Sequence, residues 1–137
     1  MIKKIRNILI LAVLAVLLLC SCSAAKFDIT SSSDSAKIKV NDVEDGTYAE
    51  ISAIYVPGGK TVHIESSLSK GKLKIEFCEA VDISSAGESE EYVAGSILRT
   101  VEIGPGEDLD VSLDPERYVL QVTTIGQTDG TVQINVN

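Results

Sequence analysis

From Ala36 to the C-terminus, apolar and polar residues alternate with a period of two. Ala36, Ile38 and Val40 alternate with Lys37, Lys39 and Asn41, and Val62 and Ile64 with Thr61, His63 and Glu65. Leu73, Ile75 and Phe77 alternate with Lys72, Lys74 and Glu76; Leu109, Val111 and Leu113 with Asp108, Asp110 and Ser112. Tyr118, Leu120 and Val122, then Val132, Ile134 and Val136, repeat the pattern near the end. Successive side chains of a strand point to opposite faces, so each run predicts a strand with one buried and one wet face. Noisier alternation over Tyr48–Val56 and Tyr92–Ile103 brings the expected count to about eight. Turn chemistry separates the runs at Asp45-Gly46, Pro57-Gly58-Gly59, Lys70-Gly71, Gly104-Pro105-Gly106, Asp114-Pro115-Glu116 and Asp129-Gly130. Short half-buried strands at this spacing predict an all-β fold, a two-sheet antiparallel β-sandwich. The segments Val56–Ile64 and Ile103–Val111 echo each other, and limited turn chemistry in two similar hairpins explains the echo without a duplicated binding unit.

The N-terminus follows a different rule. Lys3, Lys4 and Arg6 precede an unbroken apolar run from Ile8 to Leu19, and small or polar residues follow at once. A basic head, a short apolar core and a small-residue exit form an export signal. A permanent membrane span needs about 20 apolar residues to cross a hydrocarbon core ~30 Å thick. The twelve of this run fall short of that. The organisation expected is a signal helix and peptide over residues 1–21, a segment 22–35 beginning at Cys22, and a β-sandwich domain over 36–137. Ser31-Ser32-Ser33-Asp34-Ser35 gives the middle segment the composition of a flexible tether. Phe27 and Ile29 offer the alternative of an edge strand there.

Cysteine use sharpens the reading of the exit. Leu19-Cys20-Ser21-Cys22 resembles the lipobox of bacterial lipoproteins, with a Leu three residues before the modified Cys and a small residue directly before it. Cys22 fits both positions; for Cys20, Leu19 would occupy the small-residue place. The resemblance implies that Cys22 receives a diacylglyceryl group on its sulfur and becomes the mature N-terminus. Two acyl chains give stable membrane attachment where one does not. Removal of Cys20 and lipidation of Cys22 leave Cys78 with no partner, so no disulfide framework is expected.

Charge then limits the partners. With Lys3, Lys4 and Arg6 removed, nine basic residues face twenty acidic ones, a net charge of −11. Such a surface repels nucleic acid and anionic headgroups. No nucleic-acid partner is expected, and membrane affinity must come from the acyl chains. The chain has no Trp. That argues against stacking of sugar rings on an exposed aromatic face, a mode for which only Tyr48, Tyr55 and Tyr92 remain.

Candidate chemistry is sparse. His63 is the single histidine; it lies on the polar side of its run, and no Gly-x-Ser-x-Gly elbow supplies a nucleophile for a triad. Cys78 has Glu76 and Glu79 for neighbours, which oppose formation of a thiolate. The most suggestive group is acidic: Glu107, Asp108, Asp110, Asp114 and Glu116. Calcium takes six to eight oxygens, and Asp108, Asp110, Asp114 and Glu116 are the candidate metal ligands. The competing expectation is a solvated acidic edge that discourages pairing with another chain. Asp42, Glu44 and Asp45 form a smaller group of the same kind. No cofactor is expected: too few His and Cys are present for zinc, and the glycines punctuate turns and open no phosphate-binding helix.

The strand Lys72–Phe77 and the closing pair Tyr118–Val122 and Thr131–Val136 loosely resemble small secreted bacterial β-sandwich modules, such as pre-peptidase C-terminal and jelly-roll accessory domains. That resemblance implies an accessory role and transfers no site residues. The expectation is a lipoprotein facing outside the cytoplasm, on the cell membrane or on an outer membrane where the host has one. It would act as a non-enzymatic binding or structural module toward a protein or glycan partner at the cell surface. A calcium-stabilised recognition domain using the acidic edge is the alternative, and a cell-wall-acting enzyme the distant third.

Overall fold

In the computed structural model, residues 27–87 and 89–137 are described. The expected signal peptide and Cys22 lie outside them. Among the described residues no helix is long and apolar enough to cross a membrane. The seven strands are β1 (Phe27–Ser31), β2 (Ser35–Val43), β3 (Tyr48–Val56), β4 (Val62–Asp82), β5 (Tyr92–Ile103), β6 (Asp108–Val111) and β7 (Glu116–Val136). They form one antiparallel sheet in the order β1-β2-β7-β4-β5, with β3 also on β7 and β6 also on β4.

Two strands of 21 residues, β4 and β7, organise everything else. The first part of β4 pairs with the last part of β7, Ile64 opposite Ile134. Its second part pairs with the beginning of β7, Ile75 opposite Val122. Between these stretches the register shifts at Leu68/Lys70 and Lys70/Lys72. One half of the sheet therefore holds β1, β2 and β6 against the shared strands, and the other holds β3 and β5.

Lys70-Gly71 and Asp129-Gly130, expected as turns between strands, are instead bends inside β4 and β7. Two pairs of expected strands merge at these bends, and β1 is added, giving seven strands for the expected eight. Gly71 has φ +75°, and a Cβ on it would lie 2.5 Å from the Gln127 carbonyl oxygen. Gly130 has φ +128°, and its Cβ would meet Leu68 Cα at 2.5 Å. At both bends the facing strand comes too close for any side chain, so glycine chemistry reads alike for a turn and for a bulge.

The expected tether also changes. Phe27 to Ser31 is a strand in register with Ala36 to Val40, taking the edge-strand alternative. The echoing segments are not hairpins: β3 pairs with β7 while the strand after it, β4, pairs with β6, and β5 likewise leads away from its own neighbour into β6. The echoes meet as antiparallel neighbours, with Val62 opposite Val111 and Ile64 opposite Leu109.

The alternating apolar residues of both halves share one core. Ile38, Ile64, Val132 and Ile134 come from the first half, and Ile51, Leu73, Ile75, Phe77, Leu120 and Val122 from the second. Tyr118 closes the cluster, its ring edge-on to Phe77 at 6.2 Å between centroids. Its hydroxyl donates to the Asp114 carbonyl, which satisfies a part-buried polar group.

Candidate functional site

The residues singled out by sequence fall in separate places. His63 and Asp110 are cross-strand partners on β4 and β6, and His63 Nδ1 lies 2.8 Å from Asp110 Oδ1. That hydrogen bond holds the imidazole pKa above its ordinary value, with further support from the charges of Asp110, Asp108 and Glu65. Among the described residues Asp110 is the side-chain partner of His63, so the ring is engaged by an acid. Cys78 is fully buried. Burial first, and then Glu76 and Glu50, push its thiol pKa up, the opposite of what a nucleophilic cysteine requires.

The four candidate metal ligands are not one set. Asp108 and Asp110 stand on β6 opposite Glu65 and His63. Asp114 and Glu116 follow the end of β6 and line a cleft of about 420 Å³ with Glu79, Leu98, Arg99, Ser112, Leu113 and Tyr118. Glu116 Oε1 is buried there without a hydrogen-bond partner. Among the described residues no group of three or more His, Cys, Asp or Glu side chains is placed to hold a metal ion. The reason lies in the fold: strand β6 ends at Val111, and its carboxylates are carried away from Asp114 and Glu116, which flank Pro115. The second acidic group is exposed, and two of its members are engaged by neighbouring strands. Asp42 receives the Gln127 side-chain amide and pairs with Lys70 at 2.8 Å, while Asp45 accepts from the Gly126 N–H.

The strongest cluster of exposed groups lies on the outward side of β3, β7, β4 and β5. A register shift in β3 between Ile51 and Ile54 places Tyr55 directly opposite Arg117. Ile54, Val56 and Tyr118 then face the core while Tyr55 and Arg117 face out. Tyr92, at the start of β5, reaches the same spot from the other side. The Arg117 guanidinium carbon is 5.8 Å from the Tyr55 ring centroid and 5.3 Å from that of Tyr92. The same guanidinium donates to Glu90 Oε2 at 2.6 Å and to the Tyr92 hydroxyl. The hydrogen bonds from Arg117 and Tyr92, and then the Arg117 charge, hold the Glu90 carboxyl below the usual carboxylate range. Two rings are thus locked around one neutralised cation, in contacts within the range of cation–π attraction. Tyr55 keeps 48% of its surface exposed.

No protein-family model matches the chain, and no curated protein matches it. A solved structure titled "Crystal structure of PirA" is similar at 15% identity and a TM-score of 0.44, covering 79% of this chain and 97% of that one.

The rest of the outward face continues from the cluster. Cys78 and Val119 sit opposite each other, buried yet outside the main core, and the exposed Ile97 stands across from Cys78 on β5. Gln121 accepts from the Cys78 thiol at 3.6 Å, and Glu76 and Glu50 share the Gln121 row. Tyr48, 51% exposed, ends the face with its hydroxyl on Glu50 Oε2 at 2.8 Å. Tyr55 also lines a second cleft of about 270 Å³ with Ser33, Asp34, Pro57, Lys60 and Val136. The three tyrosines named from composition are therefore on one face. Arg117 and Glu90, which fix two of them, carry no sequence signal, because Arg117 meets Tyr92 only across the width of the sheet.

Proposed function

We propose that the chain is the precursor of a bacterial lipoprotein, anchored by lipid on Cys22 and displaying a non-enzymatic binding module outside the cytoplasm. The observation that carries the anchor is the order of charges, apolar run and Leu19-Cys20-Ser21-Cys22. The sandwich belongs to the same reading, and what supports it is that both halves of the sheet contribute residues to a single core, as two packed layers would. Binding is favoured over catalysis by the state of the reactive groups. His63 is engaged by Asp110, Cys78 is buried with a raised pKa, and the exposed aromatic groups are held ready on a rigid sheet.

Metabolic labelling with a fatty acid tests the anchor. The wild-type protein takes up label, Cys20→Ala keeps it, and Cys22→Ala loses it. A wild-type protein without label, or a Cys22→Ala variant labelled as strongly as wild type, would refute the reading.

A further inference from the structure

We infer that the Tyr55–Arg117–Tyr92 cluster is a binding site for neutral saccharides, an assignment that deepens the proposed binding module and rests on it. The argument begins with the rings. An aromatic face attracts the apolar C–H side of a sugar ring, and a useful platform must be exposed yet unable to collapse onto its neighbours. Tyr55 is 48% exposed, and its ring is fixed by its strand and by the Arg117 guanidinium lying over it, 5.8 Å from the centroid. Tyr92 is held by Arg117 from the opposite direction and by Glu90 through its hydroxyl. Little conformational freedom remains to be lost when a ligand arrives, which favours binding through few contacts.

Charge selects the class of ligand. Arg117 is the cation of this cluster, and Glu90 already neutralises it at 2.6 Å. An anionic ligand would have to displace that carboxylate while approaching a chain with twenty acidic and twelve basic residues. A neutral polyol pays neither penalty. Hydroxyl partners stand within the same face: the Tyr92 hydroxyl, Glu90, and farther along Gln121 and Glu50. An apolar protein segment fits less well, because the rings are interrupted by a guanidinium and a carboxylate that it would leave without water. Tyr48 lies seven residues from Tyr55 on β3, up to ~23 Å along a strand. A disaccharide at Tyr55 and Tyr92 falls short of it, whereas a longer chain following the strand reaches it.

The test uses the full lipidated protein in a non-glycosidic detergent, with calorimetric titration of neutral cello-, xylo-, manno- and chito-oligosaccharides and of acidic oligogalacturonides up to about 10 mM. At least one neutral series binds saturably. Tyr55→Ala and Tyr92→Ala weaken that binding more than tenfold, Tyr55→Phe retains it, and Tyr48→Ala affects hexasaccharides while sparing disaccharides. Unchanged melting temperatures of the variants show that the fold is intact. Absence of saturable binding by every series overturns the inference, as does binding that survives both alanine variants or favours an acidic oligosaccharide. Fatty-acid labelling at Cys22, read separately, distinguishes this failure from failure of the lipoprotein reading.

Discussion

Replacing Gly130 by Ala strikes the bend on which the shared strands depend. Gly130 has φ +128°, and the new Cβ would sit 2.5 Å from Leu68 Cα and 2.6 Å from the Ser67 carbonyl oxygen. Both contacts are backbone, so relief requires the two long strands to separate where they pair, Leu68 opposite Gly130. Forcing a side chain into such a conformation costs about 1–3 kcal/mol, and overpacking adds about 1–3 kcal/mol. Loss of freedom in the unfolded chain returns only ~0.4–1 kcal/mol. A net destabilisation of about 3–4 kcal/mol follows, against ~5–15 kcal/mol for a typical domain. Gly46→Ala is the control: its φ is +78°, and nothing lies within 4 Å of the added Cβ. There only the left-handed conformation is charged, about 1 kcal/mol after the same entropic return. In urea, with a slope of ~1–3 kcal/mol per molar, Gly130→Ala should lower the midpoint about three times as far as Gly46→Ala. Equal shifts would refute the claim that β4 and β7 touch at this bend.

Three further predictions follow from individual side chains. The Tyr118 hydroxyl is pushed up to about 12 by burial first, with Glu116 and Asp114 adding to it. Its stabilising contribution is complete below the unfolded value of 10 and is lost as pH rises toward 12, so Tyr118→Phe should flatten the alkaline loss of stability in denaturation curves; an unchanged slope sinks this account. His63 should titrate above 6.5 by its ring-proton resonances, and Asp110→Asn should bring the midpoint down. Because the raised value marks the protonated ring as the paired form, the pair stabilises at low pH and lets go as pH climbs through the folded midpoint. A midpoint unmoved by Asp110→Asn contradicts it. Cys78 should resist a water-soluble disulfide reagent in the folded protein and react fully in denaturant; rapid labelling of the native protein would show that the thiol is not enclosed.

The strands were readable because one face of each is wet: Leu73, Ile75 and Phe77 are buried as their alternation requires. Their continuity was not readable. Gly71 and Gly130 signal a positive φ, and a local sequence cannot say whether the chain turns back there or passes on past a close neighbour. The same ambiguity hid the arches after Val56 and Ile103, whose partners are chosen by the core and not by the connecting loop. The tyrosines were visible as the few aromatics available. Their grouping depends on pairings such as Tyr55 opposite Arg117, which a bulge in β3 decides. The acidic group shows the converse: Asp108 and Asp114 are close in sequence, yet they belong to different surfaces because β6 is only four residues long.

Strand β1 starts at Phe27, and that position sets a leash. With lipid on Cys22, five residues of backbone connect the membrane to the first hydrogen-bonded strand, and at full stretch they span at most about 18 Å. The domain then rides lower than a Ser-rich stalk reaching to residue 35 would carry it, within less than its own diameter of the headgroups. In that case its edge at β1 would be held toward the bilayer. A molecule engaging the outward face of a chain anchored in this way would have to arrive through the crowded layer next to the membrane, which would give short or tethered surface polymers an advantage over bulky soluble ones.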